Sequence, residues 1–158
     1  MKIASLLLRQ SYIDALSSLS YDGVSIPVFD EYVISGYQLP VIPISTYLQP
    51  KAYVLVKNQT VNDASLKCGI NQNMSLQLDV VTVYDSDSGG FKLSELIAQE
   101  ICNLIFTGNT LNISNAELNI WKGVLESTTN ISEESQTNRI YRTVLLLNHT
   151  VQQIELTT

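Results

Sequence analysis

The stretch Asp85-Ser86-Asp87-Ser88-Gly89-Gly90 is the best metal candidate in the chain. A calcium loop takes oxygen ligands at its first, third and fifth positions, glycine at the sixth and a bidentate glutamate at the twelfth. Asp85, Asp87 and Gly90 satisfy the first, third and sixth positions. Gly89 brings no ligand to the fifth, Leu96 stands at the twelfth, and Glu95 comes one residue early. The stretch reads instead as a flexible turn into a helix, with Asp87 or Ser88 as the capping residue. His149 is the only histidine, so any Ser-His-Asp or Cys-His site has to use it. It follows the aliphatic run Val144-Leu145-Leu146-Leu147, at a strand end or in a solvated tail. No Gly-x-Ser-x-Gly and no phosphate-binding Gly-x-x-x-x-Gly-Lys occurs. Asp79 and Glu95 meet as a carboxylate pair only by accident of fold. No catalytic residue, metal or cofactor is assigned, and the expectation is a protein that is not an enzyme.

Cys68 and Cys102 are too few for a disulfide framework, and their spacing matches no zinc pattern. Cys102 falls in an apolar helical pattern and reads as core. Cys68 falls in a polar stretch and reads as a free surface or half-buried thiol.

The elements that position these groups are legible as alternations of apolar and polar residues. Residues 3–19 read as a helix, with Ile3, Leu6, Leu7, Ile13 and Leu16 on its buried stripe and Tyr12 and Leu19 to one side, facing a neighbour. Asp22-Gly23 is a turn. Residues 24–34 carry Pro27 and read as a short edge strand. Residues 36–50 form a proline-rich apolar loop. Pro40, Pro43 and Pro50 forbid a regular ladder, yet Leu39, Val41, Ile42, Ile44, Tyr47 and Leu48 are apolar. A solvated linker has no use for those residues, so the loop is expected to lie on a partner subunit, with the monomer folded without it.

Residues 52–57 read as a strand, 58–73 as a polar turn, 74–84 as the clearest strand and 85–90 as a turn. Residues 91–106 read as a helix with Leu93, Leu96, Ile97, Ile101, Leu104 and Ile105 on one face, ended by Gly108-Asn109. Residues 117–127 and 139–147 read as a strand pair joined by a polar connection at 128–138 that holds Glu133 and Glu134. Residues 148–158 extend the last strand. The expected fold is α+β: two layers, a mostly antiparallel sheet of four to five strands, two helices on one face and one domain over residues 1–158.

Bulk composition bounds the partners. Fifteen Asp and Glu against nine Lys and Arg give a net charge of −6, and the cations are scattered. Tight nucleic-acid binding needs clustered cations, so DNA can pass near this protein without being held. Charged residues are only 15% of the chain, against about 25% in an average protein, which leaves a neutral polar surface suited to contact with other protein. Six of the eight tyrosines, Tyr12, Tyr21, Tyr32, Tyr37, Tyr47 and Tyr53, fall in the first third. Tyrosine suits interfaces because its ring buries area while its hydroxyl keeps a polar partner, and at least two are expected to serve there. The start, Met1 to Arg9, matches a signal peptide for six residues before Arg9 interrupts it. No stretch approaches the roughly 20 apolar residues of a membrane span. The expectation is a soluble protein with no membrane partner, in which the sequons at Asn58, Asn73, Asn112, Asn130 and Asn148 arise from composition.

Several stretches together resemble the tail-completion, or tail-terminator, family of tailed bacteriophages. Gly23-Val24-Ser25-Ile26-Pro27-Val28-Phe29-Asp30 resembles the segment after that family's first helix, and Tyr53-Val54-Leu55-Val56 its next strand. Leu76–Tyr84, Gly89-Gly90 and Ile97-Ala98-Gln99-Glu100-Ile101 are similar to its central strand, turn and helix, and Arg139–Leu147 to its closing hairpin. Asn62-Asp63 with Lys67-Cys68 resembles versions from crAss-like phages. The loop at 36–50 departs from the family's short connection. The resemblance implies a virion protein, assembled in the host cytoplasm, that forms a homo-oligomeric ring at the neck or tail end. It implies portal or connector and tail proteins as neighbours, and DNA passing transiently through the lumen. Glu133 and Glu134, on the polar hairpin connection, are the candidate lumen-facing residues, the alternative being a solvated loop on the outside of the ring. The alternative is another non-enzymatic phage or bacterial binding or assembly module of the same α+β class.

Overall fold

Tyr12, which the apolar stripe leaves to one side, is completely buried in the structure. The computed structural model describes residues 3–63, 71–85 and 88–154. In chain order these form α1 (Ala4–Ala15), a 3-10 turn (Leu16–Ser18), β1 (Ser20–Tyr21), β2 (Val24–Ser25), β3 (Val28–Asp30), β4 (Lys51–Asp63) and β5 (Asn71–Asp85). There follow α2 (Lys92–Ile105), β6 (Phe106–Thr107), β7 (Thr110–Leu111), β8 (Leu118–Glu134) and β9 (Asn138–Gln153).

Five strands make the main sheet, in the order β3-β4-β5-β9-β8. β3 pairs parallel to β4, and every other pairing in this sheet is antiparallel. Both helices pack on one face, where Ala52, Val54, Val56, Leu76, Leu78, Val80, Leu145 and Leu147 meet them in one core. Each fully buried aliphatic side chain there contributes roughly 1.5–3 kcal/mol. The α+β two-layer class thus holds. Two small hairpins, β1-β2 and β6-β7, bring the described strands to nine.

α1 buries Ala4, Leu8 and Tyr12 at a spacing of four, with Leu7 and Ser11 beside them, while Ile3 and Leu6 are exposed. The expected stripe is therefore rotated. Leu6, Leu7 and Leu8 are consecutive, so they point to different sides of the helix and leave the direction of its apolar stripe poorly marked. Leu19 is also fully buried, in the core and away from any neighbour. Arg9 sits in this apolar helix because its guanidinium reaches past it, to Asp30 at 2.5 Å, to Glu31 and to the Val56 carbonyl.

α2 buries Leu93, Ile97, Ile101 and Ile105 as expected, but Leu96 and Leu104 point outward and Ala98 and Ser94 take their places. It stops at Ile105, and Phe106 begins the β6-β7 hairpin. Its N-terminus has no side-chain cap, so Ser88 does not cap it. Asp87, like Cys68, lies outside the described residues. Cys102 is free and half-buried, nearer the helix margin than the core. The Asp22-Gly23 turn is confirmed. Both residues have positive φ, +49° and +78°, as a two-residue hairpin between twisted strands requires.

The polar stretches expected to be connections are strand. β4 runs on to Asp63 and β5 starts at Asn71, paired through Thr60↔Ser75 and Asn62↔Asn73. β8 continues to Glu134 and β9 begins at Asn138, so only residues 135–137 turn. Asn, Ser and Thr are weak strand formers. Here the neighbouring ladders on β9 impose the conformation. β8 is a long open edge, but Trp121 and Glu126 are bulged out of its ladder, which blunts pairing with another strand.

Candidate functional site

His149 lies inside β9, not at a strand end or in a tail, and is 3% exposed. Its Nδ1 is 2.9 Å from the Met74 carbonyl oxygen, and its Nε2 is 2.5 Å from the Tyr12 hydroxyl. A carbonyl only accepts, so Nδ1 carries the proton, and the bare Nε2 accepts from Tyr12. Burial lowers the imidazole pKa, against a smaller opposing effect of the Met74 hydrogen bond. Burial also pushes the Tyr12 phenol far above its usual range. The pair is neutral and mutually satisfied, and the His149 side chain is almost wholly buried. Asp79 and Glu95 are likewise separate. Asp79 is buried on the open face of the sheet, taking a hydrogen bond from Gln77 Nε2 at 2.8 Å beside Arg142 at 3.7 Å. Glu95, on α2, accepts from Asn130 Nδ2 at 2.7 Å. Among the described residues no group of three or more His, Cys, Asp or Glu can hold a metal ion, and no helix is long and apolar enough to cross a membrane.

The loops and surface grooves supply further candidate sites. The loop before β4 wraps one end of the sheet. Leu39 packs on the open face with Phe29, Leu55 and Val81. Ile42 crosses to the other face and is completely buried in the main core. The loop then closes as a hairpin: Val41 bridges Lys51, Ile42 N–H donates to the Pro50 carbonyl, and Ser45 N–H donates to the Leu48 carbonyl. Beyond this anchor Ile44 is 45% exposed and Tyr47 98% exposed. Val41 is also exposed, and Leu48 half-buried. The six loop residues thus divide into an anchor and a free tip. Because Ile42 is core, the monomer is not independent of the loop.

Glu133 and Glu134 stand at the end of β8, next to the turn. Glu133 faces Arg142 at 3.3 Å and Glu134 faces Arg139 at 3.6 Å. Each of these carboxylates thus faces an arginine of β9, and Arg142 is shared with Asp79.

Two surfaces escape a reading by periodicity. At the far end of the open sheet face, Asn62, Asn73, Ser75, Asn148 and Lys122 line a shallow depression of about 390 Å³ that also reaches His149. The second is a groove on the helix face, between α2 and β8, where α2 stops short of the sheet edge. Two adjoining hollows of about 570 and 210 Å³ share Gln99, Cys102 and Leu125. Phe106 and Val124 wall the larger. Glu95 is the only charged residue lining either. The bulges in β8 disrupt the alternation that flags an amphipathic strand, so Val124 and Leu125 look unremarkable in sequence. At the groove's upper wall Thr143 Oγ1 lies 2.8 Å from Ser94 Oγ and 2.9 Å from Asn130 Oδ1, joining α2, β9 and β8.

No family model matches the chain, and no curated protein sequence matches it. Its fold is similar to that of a chain in the solved virion of a native gene transfer agent particle. The likeness has a TM-score of 0.66 at 17% identity, and covers 96% of this chain and 99% of that one. At that identity the likeness is one of fold, and the fold is shared from end to end.

Proposed function

We propose that this protein is a structural subunit of a phage-type virion, not an enzyme. We place it as one copy of a homo-oligomeric ring at the neck or tail end, assembled in the host cytoplasm. The observation that carries this reading is the fold match to a chain of a gene transfer agent virion over nearly the whole of both chains. The resemblance of the sequence to tail-completion proteins points the same way, and the burial of His149 against Tyr12 supports a structural use of the one histidine. In this reading adjacent connector and tail proteins bound the ring above and below, and DNA crosses its lumen.

The β8-β9 hairpin end, with Glu133 and Glu134, is the element we place toward the lumen. Matching of its carboxylates by Arg142 and Arg139 leaves a wall that neither holds phosphates nor strongly repels them. A wall of unpaired cations would repeat around the ring and stall the DNA. The test is to locate the protein in purified particles by antibody labelling and electron microscopy, and to weigh the isolated protein by native mass spectrometry. The expected result is label at a single site between head and tail and a closed oligomer. Label spread over the capsid, or a protein absent from finished particles, overturns the reading.

A further inference from the structure

The hairpin tip and the α2-β8 groove lie toward opposite edges of one sheet. The hairpin leads into β4, and β5 and β9 separate β4 from β8, a distance of about 14 Å at a strand spacing of about 4.8 Å. We infer that the tip of residues 43–48 docks into the α2-β8 groove of the next copy of this chain, with Tyr47 as its anchor. This contact rests on the ring reading above and adds to it the two surfaces that meet.

Four observations select a second copy as the occupant. The tip is exposed yet shaped: Pro43 and Pro50 flank it and Ile42 fixes its base in the core, so little entropy is lost when it docks. The groove offers what a tyrosine needs. Phe106, Val124, Leu125 and Cys102 receive the ring, and the Gln99 and Asn103 amides, bonded to each other through Gln99 Nε2 and Asn103 Oδ1 at 3.1 Å, offer Gln99 Oε1 and Asn103 Nδ2 to its hydroxyl. Charge also matches. Copies of a chain with net charge −6 repel one another, but residues 32–50 carry no charge and end on Lys51, while the groove's one charged lining residue is Glu95. Finally, the two surfaces are different patches on different edges. Such a contact is head-to-tail, and it closes into a ring when the rotation per copy divides a full turn. Simple pairing of β8 with another β8 gives only a two-fold dimer, and the bulges at Trp121 and Glu126 oppose it.

The groove contains a free cysteine, which makes the contact directly testable. The variant is Tyr47→Cys in a Cys68→Ser background, oxidised with a thiol-specific oxidant and run on a non-reducing gel. Tyr47 is almost fully exposed, so the substitution leaves the fold intact. The expected result is a ladder running past the dimer, abolished by Cys102→Ser, with a cross-linked peptide joining position 47 to Cys102. A product that stops at the dimer, or a ladder without the 47–102 peptide, overturns the contact. Native mass spectrometry of the unsubstituted chain separates the two readings. An oligomer with no 47–102 cross-link means the ring stands and the contact is wrong. A chain that stays monomeric alone and in particles, with no cross-link, removes both.

Discussion

The Tyr12 hydroxyl donates to His149 Nε2 at 2.5 Å, joining the first helix to the last strand across the core. Each group is the other's only polar answer at that depth, apart from the Met74 carbonyl on the far side of the imidazole. This pair has a pH signature. Burial holds the folded-state pKa of His149 below its usual value, so the unfolded chain takes up the proton first. Stability from this group is complete above the unfolded pKa of about 6.5 and falls as pH drops through it toward the folded pKa. The loss approaches about 1.4 kcal/mol per pH unit for one proton. Chemical denaturation at pH 7.5, 6.5 and 5.5 measures it, and His149→Gln should flatten that slope. Tyr12→Phe should cost about 1–3 kcal/mol at pH 7.5, because it strands Nε2 without a donor.

The loop before β4 should separate stability from assembly. Ile42→Ala removes a fully buried side chain and should cost roughly 2–5 kcal/mol, as should Ile97→Ala on α2. Tyr47→Ala and Leu104→Ala alter exposed groups and should stay within about 0.5 kcal/mol of the parent. Thermal melts of the four variants check this. A melt of Ile42→Ala at the parent temperature contradicts the anchor assigned here.

Gly123 tests the packing of the β6-β7 hairpin on β8. A Cβ at this position falls 2.2 Å from Leu111 Cδ2 and 3.0 Å from its Cβ and Cγ. The near side of Leu111, and not only its flexible end, is in the way. Gly123→Ala should therefore cost about 1–3 kcal/mol. Leu111→Ala in the same chain should recover part of that loss, and a double-mutant cycle by urea denaturation reports the coupling.

Glu133→Lys with Glu134→Lys should leave the fold in place, because both groups are exposed pairs worth roughly 0–1 kcal/mol each. The double variant turns a matched hairpin end into four neighbouring cations with Arg139 and Arg142. If this end faces the lumen, DNA ejection slows or infectivity falls, and the effect weakens as salt rises. Unchanged ejection kinetics at low salt take these residues out of the lumen.

The amino-acid sequence by itself determined the class of this fold and most of its order. The 3.6-residue spacing in α2, the alternation through Leu76, Leu78 and Val80, the proline in the edge segment and the Asp-Gly turn are local signals. Each acts through the residue's own backbone or its nearest neighbours. It also determined that clustered cations and a familiar catalytic pattern are missing, which shaped the functional reading. What tertiary structure alone decided are the properties that depend on a neighbour distant in sequence. Asn62 and Asn130 are strand residues because a ladder with a distant strand holds each there, and Asn73 has such a ladder on both sides. Tyr12 is core because His149, far along the chain, waits for its proton. Ile42 and Tyr47 are five residues apart in one apolar loop, and nothing in their types distinguishes anchor from tip. Only the path of the loop over the end of the sheet does so. The α2-β8 groove exists because α2 packs over β5 and β9 and leaves the edge strand β8 uncovered beside it, a matter of where a helix lies on a sheet, and no residue pattern within either element encodes it.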